Sequence, residues 1–416
     1  MPVDTLDTSS PPRRAAWKGA FPSVAAVLVL FLAASSAPSP LYVIYQQQWH
    51  FTAWVLTVVF ALYVFGLLGS LLVVGALSDH LGRRPVLAAA IALEVVALVL
   101  FLVAGDVVVL SVARVLQGVA TGAATTTLSA TLVDLEPSRG RAGAITAVAP
   151  LTGLALGALG SGALVQFGPA PTRLVYALLV GGMLMAAIVV ARLPETSLKR
   201  PGALASLRPR IAMPAHLRAD IVPVVPAMIA TWALAGMYLS LGPSVAAELL
   251  GLHNRLIGGV VVTLLAGTGA LTVLLLRARP ASSLLAPSSV VLGLGTLISL
   301  AGTTGDLAWL AALGTVVAGV GFGASVLATF GTVARVARPH ERSSVFALAN
   351  IISYLGNSVP AVLGGIAVTA LGLRIATVIY ALAIMVITFS AFALRLNQVR
   401  TQRRSPVLPT REKEAL

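Results

Sequence analysis

Gly75-Ala76-Leu77-Ser78-Asp79-His80-Leu81-Gly82-Arg83-Arg84-Pro85 closes one long apolar run, residues 53–77, and leads into another, residues 86–104. Apart from Glu94, the charged residues of this stretch lie in the turn between them. That is required if each run crosses a hydrocarbon layer about 30 Å thick, which takes roughly 20 helical residues. Runs of this kind recur along nearly the whole chain, at 21–45, 53–77, 86–104, 107–131, 142–166, 172–192, 221–245, 256–276, 284–304, 308–333, 344–370 and 373–395. They are continuously apolar rather than alternating, which selects helices over barrel strands. Composition agrees: of 416 residues, 58% are hydrophobic and 10% charged, against about 25% charged in a soluble domain. The sequence predicts an all-α membrane protein with 12 transmembrane helices and loops too short to hold a catalytic domain.

A net charge of +14 would suit a nucleic-acid partner if it formed one surface patch, but the placement of the basic residues argues against one. With the N-terminus inside, 24 of the 28 Lys and Arg fall in cytoplasmic segments; Arg173, Arg255 and Arg374 fall outside and Arg114 within a run. The excess of positive charge on inner loops puts both termini in the cytoplasm and favours an even number of crossings. A bacterial inner membrane is the expected location. Residues 1–20 read as a retained cytoplasmic tail, because the apolar run that follows is too long for a signal-peptide core. The chain has no cysteine, which excludes disulfide and thiol chemistry.

Residues 193–220 hold Pro194, Pro201, Pro209 and Pro214 among basic residues. This break in composition marks a cytoplasmic linker between two six-helix bundles, 21–192 and 221–395, with a second tail at 396–416. The halves echo each other at an offset of 202 residues. Pro137-Ser138-Arg139-Gly140-Arg141 corresponds to Pro339-His340-Glu341-Arg342, and Gly162 to Gly364. A parallel repeat of six helices is an architecture used for alternating access.

The turn Gly75–Pro85 resembles the signature loop between the second and third helices of the major facilitator superfamily. Arg114-Val115-Leu116-Gln117-Gly118 in the fourth run resembles the same family's Arg-x-x-Gln-Gly motif. The resemblance covers roughly residues 20–395 and implies the major facilitator fold. It also assigns roles. Asp79 would sit at the N-terminus of the eleventh helix, where unpaired amides and the helix dipole favour a carboxylate, with Ser343 or Ser344 as a cap. Arg83 would pair with Asp134, and Gly75, Gly82 and Arg84 complete the gating set. From physics alone, Gly75 permits close helix approach and Gly82 a turn with positive φ. The charges also serve simply as inner-face anchors.

Arg114 lies about seven residues into its run, where an unpaired charge is costly, so it needs a partner or water. Gln117, one turn on, shares its face. The resemblance implies that Arg114 takes part in proton transfer; a structural arginine bonded to backbone carbonyls is the alternative. Glu94, in the third run, is the one carboxylate deep in a span. Burial disfavours an ionised carboxylate, which makes Glu94 a proton-coupling candidate, or a neutral partner for a neighbouring helix. Gly153, Gly157 and Ser161 form a small-residue stripe in the fifth run. It resembles the drug:proton antiporter branch only in part, since Ala158 and Ser161 depart from that branch's Gly-Pro and Gly-Gly pairs. The first run also lacks an acid that many multidrug antiporters carry.

Candidate substrate contacts are the polar and aromatic residues of inner spans: Gln117, Tyr42, Tyr45, Trp232, Tyr238, Asn350, Tyr354 and Asn357. Tyrosine and tryptophan near span ends also act as interfacial anchors. The mixture suits neutral or cationic amphipathic molecules. The five histidines are scattered and no metal-ligand spacing or catalytic cluster is present, so neither a metal site nor a catalytic residue is expected. With no Gly-x-x-x-x-Gly-Lys-Ser/Thr loop, ATP is not the expected energy source and no cofactor is expected. The expectation is a monomeric, non-enzymatic secondary transporter in the lipid bilayer that exports a small organic molecule or drug against protons, an efflux activity that would confer multidrug resistance. A proton-linked importer of a sugar or other metabolite is the alternative, and a non-transporting membrane sensor a remote one.

Overall fold

The computed structural model describes residues 19–138, 140–197, 199, 201–207, 213–338 and 341–404, with side chains as far as Leu394. The expected tails lie largely outside the described residues, as do Arg139, Pro339 and His340 of the repeated turns.

Twelve helices are long and apolar enough to span a membrane: α1 Ala20–Trp49, α2 Ala53–Val74, α3 Arg83–Val103, α4 Val107–Asp134, α5 Arg141–Phe167, α6 Leu174–Arg192, α7 Ala215–Ser240, α8 Arg255–Leu276, α9 Ala281–Thr304, α10 Ala308–Val336, α11 Arg342–Leu371 and α12 Leu373–Leu394. Prolines set the irregular points. In α1 the α-helix stops at Ser36 and resumes at Tyr42 through a 3-10 turn at Ser39–Leu41, because Pro38 and Pro40 lack the amide that would continue the ladder. The seventh span stops at Ser240, short of the 245 expected. Gly242–Ser244 and a π-helical turn at Val245–Leu249 follow it, around Pro243.

Packing repeats between the halves. In the first, α2 and α3 both pack on α4, α1 packs on α5, and α3 packs on α6. In the second, α8 and α9 pack on α10, α7 packs on α11, and α9 packs on α12. Each contact is the other shifted by six helices, so the two six-helix bundles are related by a parallel pseudo-repeat. The seams between them obey the same relation: α5 meets α8, and α11 meets α2. Gly162 lies against Gly259 in the first seam, and a Cβ there would sit 3.2 Å from the Gly259 Cα. Its expected counterpart Gly364 faces Tyr380 of its own half. The glycine that makes the second close approach is Gly365, whose missing side chain makes room for Thr57. Only small residues let helices touch this closely in lipid.

Candidate functional site

Asp106 caps α4 by accepting the amides of Val108 and Val109 at 2.8 and 2.9 Å, which fixes where the helix begins. Arg114 and Gln117 then project from one face. Close approach by α2 is possible because Gly118 leaves space for the Tyr63 carbonyl. Arg114 is 1% exposed. It donates from Nε to the Tyr42 hydroxyl at 2.8 Å, and from Nη1 to the Ser35 carbonyl at 2.9 Å and to Gln117 Oε1 at 2.8 Å. Its Nη2 also donates to Tyr42. The rings of Tyr42, Tyr63 and Phe101 surround the guanidinium at 5.2 to 5.8 Å from their centroids, an arrangement that stabilises a desolvated cation.

Gln117 extends the chain. Its Nε2 donates to the Ala34 carbonyl and to Glu94 Oε1, both at 3.1 Å. The Ala34 carbonyl is available because the residue four positions on is Pro38, which has no N–H to give it. The break in α1 and the glutamine of α4 are therefore complementary. Glu94 is fully buried, and its Oε2 has no partner among the described residues. A polar chain Tyr42–Arg114–Gln117–Glu94 thus links α1, α4 and α3, with a neutral amide between cation and carboxylate. Among the described residues no ion pair joins Arg114 to Glu94.

A second cluster surrounds the quoted turn. Gly82 has φ 110° and a Cβ on it would lie 2.7 Å from Glu195 Oε2. This is the positive-φ turn that its glycine permits. Arg83 Nη1 pairs with Asp79 at 2.6 Å and its Nε with Asp134 at 3.2 Å. Thr196 also donates to Asp134, at 2.7 Å. Glu195 escaped the sequence reading. Its carboxylate accepts the amides of Arg83 at 2.8 Å and Arg84 at 3.1 Å, capping α3 from beyond the end of α6. An acid at the start of the proline-rich linker was the available signal; its partners lie 112 and 111 positions earlier. Gly75 ends α2, and a Cβ there would come no closer to α4 than 3.8 Å from the Thr126 methyl. The α2–α4 approaches that need a glycine are those of Gly66, Gly118 and Gly122.

Asp79 faces the start of α11 across space rather than touching it. A cavity of about 600 Å³ separates them, lined by Gly75, Asp79, Thr126, Ser343, Phe346 and Asn350 and bordered by Pro201 and Gly202. Glu341 occupies the N-cap position of α11 and no side chain caps it, so neither Ser343 nor Ser344 fills the capping role expected of them. The far end is joined. There the Trp54 amide donates to Thr369 Oγ1 at 3.3 Å and the Arg255 amide to Gln166 Oε1 at 2.9 Å, each across a seam.

The substrate candidates divide. Tyr42 and Gln117 belong to the buried chain. Tyr45 is buried against Trp49 and donates to the Tyr176 hydroxyl at 3.1 Å. Tyr238 bonds Thr315 and Ser299 at 2.8 and 3.1 Å inside the second half. Asn357 donates to the Trp232 carbonyl at 3.2 Å. Trp232 and Tyr354 are half-buried neighbours, 6.0 Å between ring centroids, and Asn350 lines the cavity at the loop end. The Gly153, Gly157 and Ser161 stripe faces α1: Gly157 abuts the Ala33 carbonyl and Ser161 donates to the Ala37 carbonyl at 2.6 Å.

The same overall fold is found in solved structures. The human organic anion transporter MFSD10 (TETRAN) superposes with a TM-score of 0.65 at 16% identity, over 92% of this chain and 100% of that one. A bacterial homolog of the human lysosomal transporter Spinster, in an inward-facing and unoccupied conformation, gives 0.71 at 13% identity over 94% and 98%. The nucleoside transporter NupG gives 0.71 at 11% identity over 90% and 99%. These identities establish a shared fold. The sequence profile of the Major Facilitator Superfamily matches residues 24–361, spanning both halves, and the chain is an integral membrane transporter belonging to that family.

Proposed function

We propose that this transporter works by alternating access and exports a small organic molecule, neutral or cationic and amphipathic, in exchange for protons. It would sit in a bacterial inner membrane with both termini in the cytoplasm. The observation that carries the reading is Glu94, a fully buried carboxylate with one unpartnered oxygen, joined to Arg114 only through Gln117. Burying an ionised carboxylate costs far more than burying a neutral one. Gain and loss of a proton at Glu94 would therefore change what Gln117 and Arg114 must satisfy, and with it the balance between conformations. The cavity at the loop end and the joined seams at the far end fit an inward-facing state. In the opposite state Asp79 would close on the uncapped amides that begin α11.

Inside-out membrane vesicles loaded with protons test this, with a fluorescent lipophilic cation as probe. Imposed acidity should drive accumulation of the probe, and Glu94→Gln should abolish the pH dependence. Accumulation driven by the reverse gradient would support import instead. A Glu94→Gln variant with wild-type pH dependence would remove Glu94 from the coupling.

A further inference from the structure

Helices α3 and α6 pack on each other at the edge of the first bundle, and neither takes part in the seams with the second half. Toward the loop end both turn alanines outward, Ala88 and Ala92 on α3 and Ala187 and Ala191 on α6. A spacing of four keeps each pair on one face. Four short side chains side by side leave a furrow of about 760 Å³, walled by Val95 and by Leu184, which is 53% exposed. In a membrane this face meets acyl chains. The mouth of the furrow is polar, formed by Arg84, Lys199 and Glu195. Among the described residues Arg84 is held there by one side-chain bond, Nη2 to the Ala191 carbonyl at 2.7 Å, and the guanidinium carries further donors that a ligand can use. Lys199 is exposed, its amide bonded to Ser197 Oγ at 3.2 Å. Glu195 is turned inward, its carboxylate accepting the amides of Arg83, Arg84 and Ser197. An apolar slot with two cations at its headgroup end matches one ligand chemistry.

We propose that the furrow between α3 and α6 binds an anionic phospholipid of the loop-side leaflet, one acyl chain lying along the alanines and the phosphate held between Arg84 and Lys199. A zwitterionic lipid would fill the slot but gain less from two cations, since its own ammonium opposes them. The site is distinct from the seams and from the buried chain, and does not depend on proton coupling. The cap that Glu195 places on α3 lies beside the headgroup position, so an occupant there would border the Asp79–Arg83–Asp134 cluster.

Native mass spectrometry of the full-length protein, released from detergent micelles doped with defined lipids, tests the site. Phosphatidylglycerol should be retained in preference to phosphatidylcholine. Arg84→Gln and Lys199→Gln should each lower that preference by about fivefold, the effect of one basic side chain at a charged membrane surface. Ala187→Trp should reduce retention of both lipids by filling the slot, while Arg84→Lys should preserve the preference. Lys199 is exposed, so Lys199→Gln reports even if substitutions at Arg84 impair folding. Equal retention of the two lipids, or an unchanged preference in Lys199→Gln, would overturn the proposal. So would full displacement of phosphatidylglycerol by millimolar glycerol phosphate, which would mark a site for soluble anions.

Discussion

Gln117 hands one amide hydrogen to Glu94 Oε1 at 3.1 Å while its own Oε1 accepts from Arg114 at 2.8 Å. The amide is thus the joint through which a carboxylate on α3 and a guanidinium on α4 sense each other. Removing it should cost more than one hydrogen bond. Gln117→Ala leaves both Glu94 oxygens and one Arg114 donor unmatched in a buried site. We expect a loss of about 2–4 kcal/mol of stability, from the penalty of stranding buried polar groups. Thermal unfolding in detergent would check it, and a shift no larger than that of Glu94→Gln would refute the joint.

Tyr42 holds Arg114 by accepting from both Nε and Nη2. Tyr42→Phe keeps the ring and removes the acceptor, so about 1.5–3 kcal/mol should be lost, the range for hydrogen bonds to charged groups. If Tyr42 instead contacted substrate, the same variant would change the apparent affinity for transported molecules with no change in melting temperature. Measuring both on one preparation separates the two roles.

Glu195 caps the first amides of α3 and lies beside Arg83. Glu195→Ala should destabilise the N-terminus of α3 by about 1 kcal/mol. It should also increase hydrogen exchange at the amides of Arg83 and Arg84. Exchange at wild-type rates at those amides would show that the cap is dispensable.

The seams admit a direct test, because the chain has no native cysteine. The paired substitutions Trp54→Cys and Thr369→Cys place thiols across the joined end. A short bifunctional maleimide should link them readily and stop transport. The pair Asp79→Cys and Ser343→Cys, separated by the loop-end cavity, should link slowly under the same conditions. Equal rates at both ends would contradict the closed and open ends described above.

The number of crossings and the position of the charged turn were readable in the sequence, because each is a local pattern: an apolar run, or an acid four residues before an arginine. What the sequence could not supply was the rotation of each helix about its axis. Tyr42 reads as a polar group on an inner span. Only the packing of α1 against α4 shows that it faces Arg114, 72 positions away, and not an open cavity. Glu195 was missed for a related reason, since a carboxylate in a loop shows no mark of the amides it caps. The match of Gly162 with Gly364 carried no information about the seams, where Gly365 makes the approach, because a repeat offset counts residues whereas a seam depends on which side of a helix a glycine faces.

The seam at Gly162 and Gly259 has a consequence for how the two mouths of the protein respond to their surroundings. Among the described residues no ion pair crosses between the halves, and the far mouth is shut by close glycine contacts and by hydrogen bonds between uncharged groups. Dissolved salt screens exposed charges and leaves such contacts alone. At the loop end Asp79 is 51% exposed beside Arg83, within reach of ions. Ionic strength should therefore tune only one of the two doors, so that the traffic of conformations is adjusted from a single side of the membrane.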